Sequence, residues 1–229
     1  MTAGKKQATD MLKRGLIVSC QAEEGSPFNA PEFIAAFAKA AELGGAVAVR
    51  VRDPENVKAV AAVSRLPVIG LTKGKFPSGA VLITPSVDDA VELVKSGASL
   101  VALDMTSRRR PDGLTGPEFL RAVRSAVDCP LVADCSTVDE GLAAAGEGAE
   151  FIATTLSGYV DAAQPPPAGP DFALITALTS RTTTPVIAEG RIWSPDQARQ
   201  AVACGAYAVC VGTAISRPID IIRRFARAV

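Results

Sequence analysis

Eight short runs of apolar, mostly β-branched residues recur along the chain, separated by amphipathic or alanine-rich stretches long enough for helices. The runs are GLIVSC (15–20), AVAVRV (46–51), PVIGLT (67–72), LVALDM (100–105), LVADCS (131–136), FIATTL (151–156), PVIAEG (185–190) and AVCVGT (208–213). Strands that are apolar on both faces belong in a parallel sheet, because its crossover helices cover both sides. PEFIAAFAKAAEL, VDDAVELVKSG, VDEGLAAAGEG, SPDQARQAVACG and SRPIDIIRRFARAV supply helices, most with apolar residues at helical spacing. Several open on Ser, Thr or Pro and close on Gly, as capped helices do.

Eight such units in 229 residues predict one domain, residues 1–229, folded as a closed (β/α)8 TIM barrel. The competing doubly wound open sheet would need a GxGxxG after an early strand to bind a nucleotide, and the chain has none. At 48% hydrophobic, the chain can bury a full core, and no low-complexity half or charge-rich tail suggests a second domain. A short extra helix at about residues 5–14 is expected to close the bottom of the barrel. The proline-rich YVDAAQPPPAGPDF (159–172) is expected to be an irregular connection and a candidate lid.

Lys plus Arg and Asp plus Glu balance at 24 each, so no long-range field draws in nucleic acid or an anionic membrane. Any bound anion must be held by a local pocket. The longest apolar runs fall short of the roughly 18 residues a membrane span requires, and the start MTAGKKQATD is polar; a cytoplasmic protein is expected. Cys20, Cys129, Cys135, Cys204 and Cys210 form no CxxC pair and are odd in number, which fits reduced thiols used for packing. The absence of histidine removes the usual proton carrier near neutral pH and the commonest metal ligand. Acid–base chemistry must fall to Lys, Asp, Glu, Tyr or Cys.

In a barrel of this kind the active site lies at the carboxyl ends of the strands, so the polar residues where each apolar run stops are the informative ones. They are Ser19, Cys20 and Gln21; Arg50 and Arg52; Thr72 and Lys73; Asp104; Asp134; Thr154 and Thr155; Glu189 and Arg191; Gly212 and Thr213. Each alone reads as an ordinary solvated strand end; the eightfold arrangement makes them converge on one mouth. Strand alternation points Glu189 and Ile187 inward and Val186 and Ala188 toward the helices. A carboxylate so placed is desolvated unless Lys73, Arg50 or Arg191 pairs with it.

AEGRI (188–192) and VGTAISRP (211–218) follow the seventh and eighth runs, where barrels commonly hold a phosphate with backbone N–H groups. Gly190 and Gly212 permit close approach, Thr213 can donate a hydroxyl, and Arg191 or Arg217 can add charge. DMTSRRRP (104–111) reads either as a solvated charge run or as a loop that contacts a polar substrate.

Taken together, GLIVSCQ with GSP after it, AVAVR, PVIGLTK, ITPS, ALDMTSRRRP, ADCST with EGLAAA, TTLSGY, VIAEGRI and VGTAISRP resemble the bacterial N-acylglucosamine-6-phosphate 2-epimerases, also called N-acetylmannosamine-6-phosphate 2-epimerases. The resemblance runs nearly end to end, in the family's order and spacing. It implies inversion at C2 of N-acetylmannosamine 6-phosphate or N-acetylglucosamine 6-phosphate in sialic acid catabolism, with no nucleotide, metal or other cofactor. By that resemblance the catalytic pair is Lys73 and Glu189, Gln21, Arg50 and Asp134 bind substrate, and Gly190, Arg191, Gly212 and Thr213 bind phosphate. Thr155 and Arg217 join the substrate and phosphate groups as strand-end residues. One departure is Gly74-Lys75-Phe76 after Lys73, where a more acidic turn is expected.

A strand-end lysine could instead form a Schiff base, as in class I aldolases of this fold, and a non-catalytic phosphosugar sensor could keep the same pocket. The expected partner is a phosphorylated amino sugar, with no nucleic acid and no membrane. A homodimer is expected too, with the C-terminal Ile219, Ile221, Ile222 and Phe225 serving as core or interface.

Overall fold

The computed structural model describes residues 8–23, 25–76, 81–160 and 167–229. In chain order the elements are β1 (Gly15–Cys20), α1 (Pro31–Leu43), β2 (Ala48–Arg52), α2 (Pro54–Val63), β3 (Val68–Leu71), β4 (Lys73–Lys75), β5 (Val81–Ile83), α3 (Val87–Lys95), β6 (Leu100–Asp104), α4 (Gly116–Ala126) and β7 (Leu131–Asp134). Then follow α5 (Val138–Gly146), β8 (Phe151–Ala153), α6 (Phe172–Thr179), β9 (Val186–Glu189), α7 (Pro195–Ala203), β10 (Ala208–Val211), α8 (Thr213–Ser216) and α9 (Pro218–Ala226). Eight strands close into a barrel in the order β1-β10-β9-β8-β7-β6-β3-β2, and each neighbouring pair is parallel. All eight apolar runs are its staves.

Side-chain alternation divides the core in two. Ile17, Ala48, Ile69, Leu71, Leu100, Ala102, Val132, Phe151, Ala153, Ile187, Ala208 and Cys210 fill the interior. Their neighbours, among them Val49, Val51, Val101, Leu103, Leu131, Ile152 and Val186, pack under the helices. Ala188 and Val209 do the same in a smaller cluster. Ile187 inward with Val186 and Ala188 outward is the expected alternation, and it carries Glu189 to the inner side of the mouth.

The helices start where side chains can satisfy their free N–H groups. Thr115 with Glu118 and Thr137 with Glu140 form reciprocal capping boxes at α4 and α5. Ser86, Asp171 and Ser194 cap α3, α6 and α7 by accepting from the third helical N–H.

Below the barrel, residues 8–11 are helical. Ala8 and Leu12 are buried against the interior layer, and the Tyr207 hydroxyl donates to the Leu12 carbonyl at 2.8 Å. The helix stops short of the expected residue 14, since the chain must straighten to enter β1 at Gly15; residues 5–7 of that expectation lie outside the described residues. The 159–172 connection has no regular structure in its described part, and residues 161–166 lie outside it. At the other end of the chain, α9 buries no residue and leaves Ile222 and Phe225 exposed, so it adds nothing to the core. Among the described residues no helix is long and apolar enough to cross a membrane.

β3 does not simply end at Lys73: the chain continues into a two-stranded antiparallel hairpin, β4–β5, in which Lys73 pairs with Ile83 and Gly74 with Leu82. VLIT (81–84) is the sequence signal for it, too short to stand out beside the longer runs.

Candidate active site

Each inward row of apolar side chains ends, one alternation further on, in a polar residue at the carboxyl rim. Arg50 follows Ala48, Asp104 follows Ala102, Asp134 follows Val132, Thr155 follows Ala153, Glu189 follows Ile187, and Gly212 follows Cys210. Lys73 follows Leu71 and opens the hairpin.

Arg50 is the centre of the mouth's floor. Its Nη1 and Nη2 donate to Asp134 Oδ1 and Oδ2 at 3.0 and 2.5 Å, and Nη1 lies 3.1 Å from Glu189 Oε2. The contact with Asp134 is a two-point hydrogen-bonded pair. The contact with Glu189 is an ion pair without hydrogen-bond alignment, since Oε2 has no hydrogen-bonding partner. Arg50 is 2% exposed and Asp134 0%, so both lie in the floor of the mouth. Thr155, partly exposed, donates its hydroxyl to Asp134 Oδ1 at 2.7 Å and orients the carboxylate further.

Glu189 is held by its backbone as well. Its N–H donates to Thr154 Oγ1 at 3.1 Å, and that hydroxyl donates back to the Glu189 carbonyl at 2.9 Å. Burial raises the Glu189 pKa above the ordinary carboxylate value; Arg50 opposes this, Asp134 adds to it, and the Cys210 thiol donates a hydrogen bond that opposes it. The carboxyl group therefore stays protonated to higher pH than a free one.

Lys73 moves the other way. Solvent reaches it from the open mouth, while the surrounding walls deprive it of bulk water. This desolvation, then the cations Arg217, Arg52 and Arg50, pull it down to about 8, against the opposing influence of Glu189. A lysine and a glutamate whose proton affinities are drawn toward each other now share one mouth.

Their placement is the decisive geometric fact. β3 and β9 are the seventh and third strands in the barrel order that begins at β1, four staves apart in a ring of eight, so the strand ends that lead to Lys73 and Glu189 lie on opposite sides of the mouth. Gln21 lies at the end of β1 with Nε2 donating to Ser19 Oγ at 2.9 Å, and its buried Oε1 has no hydrogen-bonding partner among the described residues. Arg217 donates Nε to the Gln21 carbonyl at 3.2 Å, and its charge is the largest of the cationic influences that lower Lys73.

The two expected phosphate-binding ends sit on adjacent strands, β9 and β10. Gly190 has φ 116° and Arg191 φ 57°, and a Cβ built on Gly190 meets only the Thr154 and Thr155 carbonyls, at 3.8 and 3.9 Å. Arg191 spends its Nε on the Gly169 carbonyl at 2.7 Å and its Nη1 on the Ser157 carbonyl, with its guanidinium over the Tyr159 ring. The side chain thus ties down the loop after β8, leaving its backbone N–H as the group available to an anion. Gly212 caps α8, whose first residue is Thr213.

In the loop after β6 the three arginines take different places. Arg109 is exposed, Arg108 donates to Asp104 Oδ2 at 3.2 Å, and Arg110 is buried, turned away from solvent onto backbone carbonyls. Three positively charged neighbours in sequence hide which of them faces inward; only the packing separates them. The same holds for Cys210 and Arg52, whose influence on Glu189 and Lys73 comes from neighbouring strands.

Comparison with known proteins places this arrangement. The family model described as "Putative N-acetylmannosamine-6-phosphate epimerase" matches residues 34–229. The chain belongs to the N-acetylmannosamine-6-phosphate 2-epimerase family. Within it, a relative from Caldanaerobacter subterraneus subsp. tengcongensis is 47% identical over 215 residues, covering 93% of this chain and 90% of its own. A relative from Cutibacterium acnes is 46% identical over 209 residues, 90% of each chain. The solved structure of the N-acetylmannosamine-6-phosphate 2-epimerase from Clostridium perfringens superimposes with a TM-score of 0.88 at 35% identity, covering 96% of this chain and 95% of that one. The epimerase family's barrel and this one therefore agree nearly end to end.

Proposed function

We propose that this chain is an N-acylglucosamine-6-phosphate 2-epimerase (EC 5.1.3.9) that interconverts N-acetylmannosamine 6-phosphate and N-acetylglucosamine 6-phosphate by inverting C2. Family membership supports the substrate class. The observation that carries the chemistry is that the strand ends leading to Lys73 and Glu189 lie on opposite sides of the barrel mouth.

Inversion at a carbon α to a carbonyl requires a proton to leave one face and another to arrive on the other. The C2 hydrogen is acidic only when C1 is an aldehyde, so the ring-opened sugar is the reacting form. With the sugar between the two groups, neutral Lys73 takes the C2 proton and the bond's electron pair moves onto the C1 oxygen as an enolate. Protonated Glu189 returns a proton to C2 from the opposite face, leaving a carboxylate, and the aldehyde re-forms. The reverse reaction exchanges the roles. Arg217, Arg52 and Arg50 keep Lys73 partly neutral and favour the developing negative charge.

Arg50, fixed by Asp134, whose carboxylate Thr155 orients, pairs with Glu189 from below, and the free Oε1 of Gln21 suits a sugar hydroxyl or amide N–H. The phosphate falls to the backbone of Gly190, Arg191, Gly212 and Thr213, with Arg217 adding charge. Neither role for these residues requires a cofactor.

Incubation of the protein with N-acetylmannosamine 6-phosphate in deuterium oxide, followed by NMR, tests this directly. The expected result is epimer interconversion with deuterium entering C2, lost in Lys73→Ala and Glu189→Gln. Exchange at near wild-type rate in Lys73→Ala would sink the assignment. Substrate left unchanged by the wild-type protein would favour a phosphosugar sensor, and a covalent adduct trapped by borohydride would favour Schiff-base chemistry.

A further inference from the structure

We propose that Arg110 is a positioning residue for Lys73, its buried guanidinium bolting the return strand of the lysine's hairpin to the end of β6. The proposal rests on Lys73 being a proton carrier. Lys73 lies outside the barrel's own ladder, and its place is set by Ile83 across the hairpin. Arg110 Nη2 donates to the Ile83 carbonyl at 3.2 Å and to the Thr84 carbonyl, while Nη1 donates to the Asp104 carbonyl at 2.8 Å. One planar fork therefore joins the residue opposite Lys73 to the last residue of a barrel strand.

The surroundings are built for that cation. Arg110 is 3% exposed, its guanidinium sits 3.5 Å from the centroid of the buried Phe119 ring, and the carboxylates of Asp104, Asp112 and Asp89 act on it through space. Burial lowers it to about 10, which leaves it charged at neutral pH.

Thr84 completes the joint. It takes φ 48°, a left-handed conformation that a β-branched residue keeps only when its surroundings enforce it. Its N–H donates to the Thr72 carbonyl at 3.0 Å, its hydroxyl donates to the Ala102 carbonyl at 2.6 Å, and the hydroxyl accepts from Thr72 N–H at 3.4 Å. Residues 72 and 84, one on each leg of the hairpin, are thus locked to each other and to β6. A lysine at position 110 would present a single ammonium where the fork serves carbonyls on two elements.

The test is Arg110→Lys, assayed for epimerisation and for amide hydrogen exchange by mass spectrometry. The expected result is a fall in kcat of about 10- to 100-fold with KM within about twofold, since the reacting group and not the phosphate site is displaced. Peptides covering residues 68–84 should exchange faster while those covering β7 and β8 do not. Wild-type kcat together with wild-type exchange over 68–84 would overturn the proposal. If the wild-type protein does not epimerise the sugar, the functional reading fails on its own, and the exchange result still decides the role of Arg110. Should Arg110→Lys not fold, Phe119→Leu removes only the ring beneath the guanidinium and carries the same two readouts, with smaller changes in the same directions.

Discussion

Arg50 reaches from β2 to Asp134 on β7 and grips both carboxylate oxygens, at 3.0 and 2.5 Å, while its Nη1 lies 3.1 Å from Glu189. One buried guanidinium thereby couples a structural carboxylate to the proposed catalytic one. Asp134→Asn should destabilise the fold by about 3–5 kcal/mol, because Arg50 is left buried without its full counter-charge. Urea unfolding measures this, and a loss below about 1 kcal/mol would show that the pair does not anchor the floor.

The same substitution has a kinetic sign. Asp134 repels the Glu189 carboxylate and so adds to its raised proton affinity, and Arg50 freed from Asp134 would turn more fully to Glu189. In the direction in which the Glu189 carboxylate accepts the proton, the acid-side transition of kcat should therefore move to lower pH in Asp134→Asn; a pH profile that stays in place or moves upward contradicts this account.

Lys73 should govern the other side of that profile. In the same direction it is the proton donor, so kcat should fall as pH passes through about 8, because the ammonium is the active form. Arg52→Met removes one of the cations that disfavour the ammonium, so the transition should shift upward, toward the ordinary lysine value. Its ion pair with Asp53 is in partial contact with solvent, at 22% and 30% side-chain exposure, and contributes about 1 kcal/mol or less to stability. Rate profiles of the two proteins, compared pH by pH, decide the matter.

Gly190→Ala should raise KM for the phosphorylated sugar and weaken inhibition by inorganic phosphate. A φ of 116° is unfavourable for any residue with a Cβ, by at least about 1 kcal/mol, so the backbone proposed to meet the phosphate would shift. Unchanged phosphate inhibition would remove Gly190 from the phosphate site.

The five cysteines are all unpaired, and burial pushes Cys20 up to about 12, Cys129 to about 11, and Cys135 and Cys210 well above the ordinary thiol range. A thiol reagent at pH 8 should label the native protein slowly at Cys20, Cys135 and Cys210, and all five rapidly after denaturation. Fast native labelling of Cys210 would mean the barrel interior opens readily.

Much of this was legible in the order of residues. Eight apolar runs alternating with helical stretches are enough for the barrel, because a parallel sheet must be covered on both faces and eight such units close on themselves. Period-2 alternation then places Glu189, Arg50, Asp134 and Lys73 at one rim, as local geometry alone requires. The hairpin after β3 was not legible in the same way: its second strand, Val81–Ile83, is only three residues long and draws its meaning from pairing with residues 73–75.

What only the tertiary structure decided is how the charges are shared. In sequence, Arg50, Arg191 and Arg110 are equivalent cations near strand ends. In the fold, Arg50 is pinned between two carboxylates, Arg191 holds a loop through backbone carbonyls, and Arg110 holds the hairpin. Whether Lys73 would be charged or neutral near pH 8 depended likewise on the balance of three arginines and burial against Glu189. Such balances follow from distances between residues far apart in the chain and from how much water is excluded between them, and neither quantity is written in local sequence.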